Sequence, residues 1–505
     1  MAHLLKLITD NESNFPEYDA LIFEGRHFSN RALGAEARRL AGGLRSLGVN
    51  PGDRVLIHLP NCREVWTTYL ACARLNAIVI PTMSVLTAAD LEFLLNDSST
   101  KVVLTNPELA PKFLSVRNRC ASLKHIVVTN GAPEETVGYD ELIAQATEYD
   151  GADGSEDDVA SLIYTSGTTG KPKGVMLTHK NFHAQALLSY GLYVSGNEDS
   201  RLNSILMPLP LSHVYGFSVA ITTLLMGNTV VMMRRFDPQA ALELVREYSV
   251  RIVPAVPTML VKLLSIPDAE KYTKSVVQWD CGGSPMPLEV IQEIQRRCGG
   301  YVTEGWGLSE TTGPVANITR DIPQKPGSVG PPFPGIEVRV VDNDDREVPT
   351  GQLGEFVVRG DIVMKGYWNR SEATARALTN GWLHTGDIGH QDADRYCYIV
   401  DRKDDLIIRG GENISPREIE EVLYRNPAIE EAAVVGLPDR VYGQRIAAFV
   451  TLKPGANATE EDLKAFCADN LTRFKVPERF RILDQLPKNS VGKILKSELK
   501  KEATA

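Results

Sequence analysis

The sequence has no CxxC pair, no long uninterrupted apolar run and no surplus of basic residues. Its seven cysteines, Cys62, Cys72, Cys120, Cys281, Cys298, Cys397 and Cys467, are odd in number and scattered. That argues against a disulfide framework or a zinc site, and for reduced, mostly buried thiols. The most apolar long window, Val219 to Met233, is interrupted by Thr222, Thr223, Gly227, Asn228 and Thr229. It falls short of the roughly 18 apolar residues that a spanning helix needs, so no integral membrane segment is expected, and contact through acyl chains stays open. With 54 Lys and Arg against 64 Asp and Glu, the net charge of −10 excludes the clustered basic excess of a nucleic-acid footprint. Any polyanionic ligand must meet local positive charge. The opening residues lack the apolar run and small-residue cleavage site of a secretory signal, and the closing KEATA is no address tag, so the cytoplasm is the expected location.

What is present is enough for several packed lobes. At 505 residues, 43% hydrophobic and 23% charged, the chain is globular and too long for one ordinary core. Leu33, Leu40, Leu44 and Leu47 recur at helical spacing before Gly48, and the apolar runs at 55–59, 77–81, 101–105 and 125–129 read as buried strands. The alternation resumes with candidate strands at 204–210, 229–233 and 251–257 and a helix beginning at Asp237. After Ile318, Pro and Gly turns separate short strands such as 337–342 and 354–360, which reads as a β-rich lobe. The charged run Asp401-Arg402-Lys403-Asp404-Asp405 then leads to Ser415, Pro416 and Glu418, spaced as a capping box with proline in the first turn. The last hundred residues continue as strand, strand, helix, strand. The expected architecture is α/β: a large multi-lobed N-terminal domain over 1–400, with two α/β lobes and the β-rich lobe, a hinge at 401–405, and a small α+β domain over 406–505. Nothing in the sequence speaks to the oligomeric state.

The densest chemistry lies between Ser161 and Gly174. An apolar strand feeds a loop in which Gly167, Gly170 and Gly174 permit tight turns. Thr165, Ser166, Thr168 and Thr169 offer hydroxyls and amides to phosphate oxygens, and Lys171 and Lys173 add charge. Pro172 stands where a Walker A loop would need Ser or Thr, so this is a different phosphate loop, or else a flexible surface loop.

This segment resembles the adenylate-forming enzymes, the superfamily of acyl-CoA and aryl-CoA synthetases, adenylation domains and beetle luciferases. The resemblance extends from about residue 20 to the end through Gly282-Gly283-Ser284-Pro285, Glu304 to Glu310, Thr385-Gly386-Asp387, the 401–405 run, Gly410 to Asn413, and Pro487 to Lys493. It implies ATP, Mg²⁺ and coenzyme A as reactants or cofactors. Glu310 would hold Mg²⁺, as hard cations prefer carboxylate and phosphate oxygens. Around the nucleotide it implies Thr165 to Lys171, Gly283, Ser284, Pro285, Glu304, Gly305, Trp306 (where the family usually has Tyr), Ser309, Asp387, Ile399 and Arg402. Asp387 and Arg402 would hold the ribose. Lys493, on a domain that turns between half-reactions, matches the lysine that brings carboxylate and α-phosphate together. Asp404 matches the hinge. Gly410, Gly411, Glu412, Tyr442 and Lys475 would meet CoA.

An apolar acid pocket is expected from His213, Tyr215, Phe217, Val256, Pro257, Trp279, Gly282, Gly307 and Leu308. His213 would orient the carboxylate or act as a gate, or is a satisfied buried histidine. No carboxylate occurs from Leu202 to Phe236, where amino-acid-activating relatives pair one with the substrate ammonium, so an acid without an α-amino group is expected. The leading reading is an ATP-dependent carboxylic acid:CoA ligase. The alternatives are an enzyme that loads a carrier protein acting in trans, and a nucleotide-binding or acyl-adenylate-binding protein without turnover.

Overall fold

The computed structural model describes residues 2–151, 154–165, 172–194, 203–284, 286–410, 412–488 and 494–504. The apolar runs of the first 150 residues form the strands Arg54–His58, Ile78–Thr82, Val102–Thr105 and His125–Val128, all parallel neighbours in one sheet. Their side chains are buried almost without interruption, because helices cover both faces, as is usual for parallel strands. Val159–Thr165 and its antiparallel partner Lys173–Thr178 extend the same sheet on one side.

A second sheet contains Ser204–Met207, Thr229–Met232, Ile252–Ala255 and Gln278–Cys281 as parallel strands. Tyr301–Leu308 follows, and Asp19–Phe23 joins from the start of the chain. The β-rich lobe pairs Glu337–Val341, Gly354–Arg359, Trp382–Gln391 and Cys397–Arg402 antiparallel. From Ile407 onward the chain builds its own sheet around the hairpin Ile429–Asp439 and Gly443–Leu452. Period-two alternation sends Ala432 and Val434 to one core of this sheet and Ala433, Val435 and Leu437 to another. All seven cysteines are buried and unpaired.

The start of the helix Pro416–Tyr424 departs from expectation. Ser415 is its N-cap, yet its side chain does not cap. The hydroxyl donates instead to Val400 O and Asp401 Oδ2, and Asp401 Oδ2 also accepts from the Arg417 amide at 3.2 Å. Glu418, the second half of the expected box, pairs with Lys475. A carboxylate from the charged run thus does the work assigned to the serine, since an ionised acceptor binds a helix N–H more strongly than a hydroxyl does.

Two ion pairs that share one carboxylate join three N-terminal helices. Arg74, on Arg63–Leu75 and fully buried, donates to Glu12 Oε1 at 2.6 Å; Arg38, on Asn30–Ser46, donates to Glu12 Oε2 at 2.9 Å. Glu12 itself lies on Leu4–Asn14. Removing one partner of a buried pair strands the other, so Glu12→Ala should cost about 3 kcal/mol of stability. A urea midpoint unchanged from wild type would contradict this.

Candidate active site

Thr165 and Lys173 face each other at the base of the hydroxyl-rich hairpin. Ser166, Gly167, Thr168, Thr169, Gly170 and Lys171 lie outside the described residues, as do Pro285, Gly411 and Lys493. At the hairpin base, Lys173 Nζ stands 5.1 Å from the centroid of the Tyr367 ring, and the Tyr367 hydroxyl donates to Glu310 Oε1 at 2.8 Å. Burial, and then the Glu310 charge, push the Tyr367 phenol far up, so it stays a donor. Glu310 follows the strand Tyr301–Leu308 in the short turn Ser309–Thr311. A single oriented carboxylate near the base of this hairpin is chemically suited to Mg²⁺, which keeps one or two carboxylates and otherwise takes phosphate and water oxygens.

Trp306 solves a problem posed by its replacement of the usual tyrosine. Its indole is buried against Phe356, with ring centroids 5.0 Å apart, and Nε1–H donates to Asp387 Oδ2 at 2.7 Å. Asp387 Oδ1 accepts from Arg402 Nη1 at 2.9 Å. Asp387 and Arg402 are direct cross-strand partners, so the pairing register itself brings them together. Two such bonds leave a carboxylate with acceptor capacity at each oxygen for two ribose hydroxyls. Ile399 lies on the same strand as Arg402, and its carbonyl accepts from Arg417. Gly307 is obligatory where it stands, because a Cβ would strike the carbonyl of Gly313 on the neighbouring strand.

Glu304 is the perturbed acid of the site. Burial raises its carboxyl to about 7, against partial relief from Arg417 and the Met286 amide. Ser309 opens the turn that carries Glu310, and Ser284 is half-buried next to Gly283.

The acid pocket is only partly as expected. A Cβ on Gly282 would lie 3.5 Å from the Tyr215 ring and 3.6 Å from Gly305 O, and one on Gly283, whose φ is +84°, would meet Val256 at 3.5 Å. Tyr215, Val256, Gly282, Gly283 and Gly305 therefore converge. His213 is the N-cap of Val214–Met226, and its Nδ1 accepts the Tyr215 amide at 3.2 Å, which puts the neutral ring's proton on Nε2. Leu308 is half-buried at the end of its strand.

Phe217 and Trp279 lie elsewhere. Phe217 stacks on Tyr69 at 4.1 Å and packs on Phe182, because two residues along a helix turn a side chain by about 200° away from Tyr215. Trp279 is fully buried with Nε1–H donating to Gly299 O at 2.9 Å. Strand alternation gives the Tyr215 side to Asp280 instead. Asp280, outside the searched 202–236 window, is a carboxylate that sequence reading missed; its place beside Cys281 and Gly282 was the available signal.

In the C-terminal part, the Gly410 amide donates to Tyr442 O at 2.9 Å, and the half-exposed Tyr442 ring lies under Arg409. Arg409 Nη1 also donates to Phe474 O at 2.6 Å, bringing Lys475 to the same face. Glu412 is exposed on the strand Glu412–Ile414, and Asp404 sits exposed in the turn after Arg402.

The sequence pattern described as AMP-binding enzyme matches residues 8–368, and that described as AMP-binding enzyme C-terminal domain matches 418–493. The chain belongs to the AMP-binding enzyme family. It is 34% identical to a long-chain-fatty-acid–CoA ligase of Bacillus subtilis, over 99% of this chain and 94% of that one. It is 36% identical to a feruloyl-CoA synthase of Amycolatopsis, over 96% of each. A crystal structure of an anthranilate CoA ligase with anthranoyl-AMP superposes with a TM-score of 0.93 at 26% identity, covering 99% of this chain and 97% of that one. Among the described residues of this AMP-binding enzyme, no helix is long and apolar enough to cross a membrane.

Two outcomes follow for this AMP-binding enzyme. Trp306→Phe removes a donor from a buried carboxylate and should cost about 2 kcal/mol, with weaker ATP binding in calorimetry; unchanged ATP affinity would count against the indole's role. Glu304, raised to about 7, keeps its full stability contribution below about 4.5 and loses it as pH climbs to 7, because the unfolded chain ionises first. The melting temperature of Glu304→Gln relative to wild type should therefore rise between pH 5 and 8, and a flat difference would refute the assignment.

Proposed function

We propose that this enzyme is an ATP-dependent carboxylic acid:CoA ligase working through an acyl-adenylate. The observation that carries the reading is the line of groups from Lys173, Tyr367 and Glu310 to Arg402, Asp387 and Trp306. They reach from the base of the hydroxyl-rich hairpin to the Asp387 carboxylate, and the Tyr215 ring packs against Gly282. On this reading the hairpin end of the line takes the phosphates and Asp387 takes the ribose.

In the first half-reaction, a carboxylate oxygen of the acid attacks the α-phosphorus. The bond from that phosphorus to the α–β bridging oxygen breaks, and pyrophosphate leaves with the electron pair. Two anions must meet, so cations that touch both lower the barrier. Lys493 takes this role, brought in by the C-terminal domain turning at 401–405, and Mg²⁺ on Glu310 would neutralise the departing phosphates. His213, which caps the helix Val214–Met226, would orient the carboxylate or act as a gate. In the second half-reaction the CoA thiolate attacks the acyl carbon, and AMP leaves with the electrons of its bond to that carbon. Gly410, Gly411, Glu412, Tyr442 and Lys475 would guide the thiol arm, a role the clustering of Gly410, Tyr442 and Arg409 supports. Both ATP and CoA are cytoplasmic reagents, which favours that location.

The acid is an aliphatic or aromatic one without an α-amino group, since the helix that starts at His213 offers no carboxylate for an α-ammonium. The first experiment is pyrophosphate release with CoA over aliphatic acids of rising length, benzoates and cinnamates. Acid-dependent pyrophosphate with AMP and thioester is expected, and ADP in their place would overturn the proposal. Lys493→Ala should lose about 3 kcal/mol of adenylation barrier lowering, over a hundredfold in rate, while sparing thioester formation from supplied acyl-adenylate. Equal loss in both halves would remove Lys493 from the first step.

A further inference from the structure

A polar cavity of about 130 Å³ lies among residues that take no part in the line from Lys173 to Trp306. Its position follows from the topology of the first sheet. In space the parallel strands run Ile78–Thr82, Arg54–His58, Val102–Thr105, His125–Val128. The chain thus leaves Arg54–His58 toward one side and comes back past it to the other. The helices that follow the first two strands in sequence, Arg63–Leu75 and Ala88–Ser98, pack accordingly into different cores, Val65 and Trp66 in one, Leu91 and Leu94 in the other. Connections that diverge in this way leave a crevice outside the carboxyl ends of the strands, where open α/β sheets take their ligands. Leu59, Asn106 and Thr129, each the first residue after one of these strands, line the cavity. The second sheet contributes Arg26, on the strand Arg26–Ser29, and Arg234, just beyond Thr229–Met232. Arg63, at the start of its helix, is the third guanidinium.

The three guanidiniums meet two carboxylates in the wall, Glu24 and Glu64, and both of these are engaged. Arg234 donates from Nε and Nη2 to the two oxygens of Glu24 at 2.7 and 3.1 Å, and Arg63 Nη2 donates to Glu64 at 3.1 Å. Arg63 also lies 3.4 Å from Glu36, which does not line the cavity. A guanidinium carries five N–H donors, so these pairs leave Arg63 and Arg234 with donors to spare. Among the described residues no carboxylate stands within ion-pair distance of Arg26. The Phe28 ring holds it instead, with its centroid 5.4 Å from the Arg26 guanidinium carbon and 5.3 Å from that of Arg63. Phe23 lies under Arg234 in the same way, at 5.0 Å. Asn106 Oδ1 accepts the Leu109 amide, so its side-chain N–H groups are what it can offer a ligand. The Cys62 thiol in the wall is pushed far up by burial and adds no negative charge. What the wall has in reserve is donors and positive charge.

A cavity needs about 10–15 Å³ to hold one water, so this one has room for several waters or for an oxyanion of phosphate size. Guanidinium forks match phosphate oxygens in pairs. We propose that the cavity is an anion site, separate from the adenylate line, that takes a phosphate group: free phosphate or pyrophosphate, or the end of a phosphate ester. A phosphate seated there bridges Arg63, carried by a helix of the first sheet, to Arg26 and Arg234 of the second. The site stands whether or not the chain is a ligase.

Calorimetric titration of the full chain with inorganic phosphate, pyrophosphate and phenyl phosphate tests this, in the wild type and in Arg26→Gln, Arg234→Gln and Lys173→Gln. Arg26 and Arg234 are exposed, so their variants keep the fold. The wild type should bind at least one of the three with Kd below about 10 mM. That binding should weaken about tenfold or more in Arg26→Gln and in Arg234→Gln, each of which removes charge-assisted donors. It should persist in Lys173→Gln, which alters only the hairpin end of the adenylate line. Tighter binding of phenyl phosphate assigns the site to an ester, and tighter binding of phosphate or pyrophosphate assigns it to the free anion. Absence of binding by all three overturns the proposal, as does binding left intact in both cavity variants or abolished by Lys173→Gln alone.

Discussion

Asp387 accepts an indole N–H at one oxygen and a guanidinium at the other, and through those two bonds it ties the edge of a parallel sheet to the β-rich lobe. Trp306 comes from the strand Tyr301–Leu308, whereas Asp387 and Arg402 sit opposite each other on antiparallel strands that lead into the charged run at 401–405. A buried carboxylate cannot stay ionised without such partners. Phe356 backs the indole, Gly307 lets the neighbouring strand approach, and Asp401, one residue before Arg402, caps the first helix of the C-terminal part. Arg402, which holds Asp387, and Asp401, which caps the first helix of the C-terminal part, are thus neighbours on one strand.

From that fixed point the rest of the site is ordered by charge. Donor and cationic groups gather near Glu310: Tyr367 donates to it, Lys173 lies over the Tyr367 ring, and Arg402 feels its charge. On the other side the surface turns apolar and aromatic around Tyr215 and Gly282, with the Asp280 carboxylate beneath. In the proposed reaction this would keep a carboxylic acid and a nucleotide apart until the two anions are brought together.

Much of this was legible in the sequence, for physical reasons. Parallel strands covered on both faces are continuous apolar runs, so 55–59, 77–81, 101–105 and 125–129 announced themselves within a residue or two of the observed strands. The family resemblance pointed to Asp387 and Arg402, which the structure pairs, and to Glu310, which it joins to Tyr367. What escaped depends on partners distant in sequence. Ser415 had the right spacing for a cap, but the stronger acceptor Asp401 arrives through tertiary structure. Trp306 was readable as an aromatic in a glycine-rich strand; its bond to a residue 81 positions away was not. Phe217 and Trp279 could have been placed by period alone, since Phe217 turns away from Tyr215 and Trp279 from Asp280. Asp280 escaped because it lies on the strand Gln278–Cys281, beyond the stretch 202–236 that was read for a carboxylate, and meets Tyr215 only through the fold.

The central claim is that an oxygen of the acid becomes bonded to the α-phosphorus of ATP. The most direct measurement uses an acid labelled with ¹⁸O in both carboxylate oxygens, turned over with ATP and CoA, followed by mass analysis of the nucleotide product. Because thiolysis breaks the carbonyl carbon to oxygen bond, the account predicts AMP that carries one ¹⁸O and a thioester that keeps the other. Unlabelled AMP, or label found in inorganic phosphate beside ADP, would contradict it.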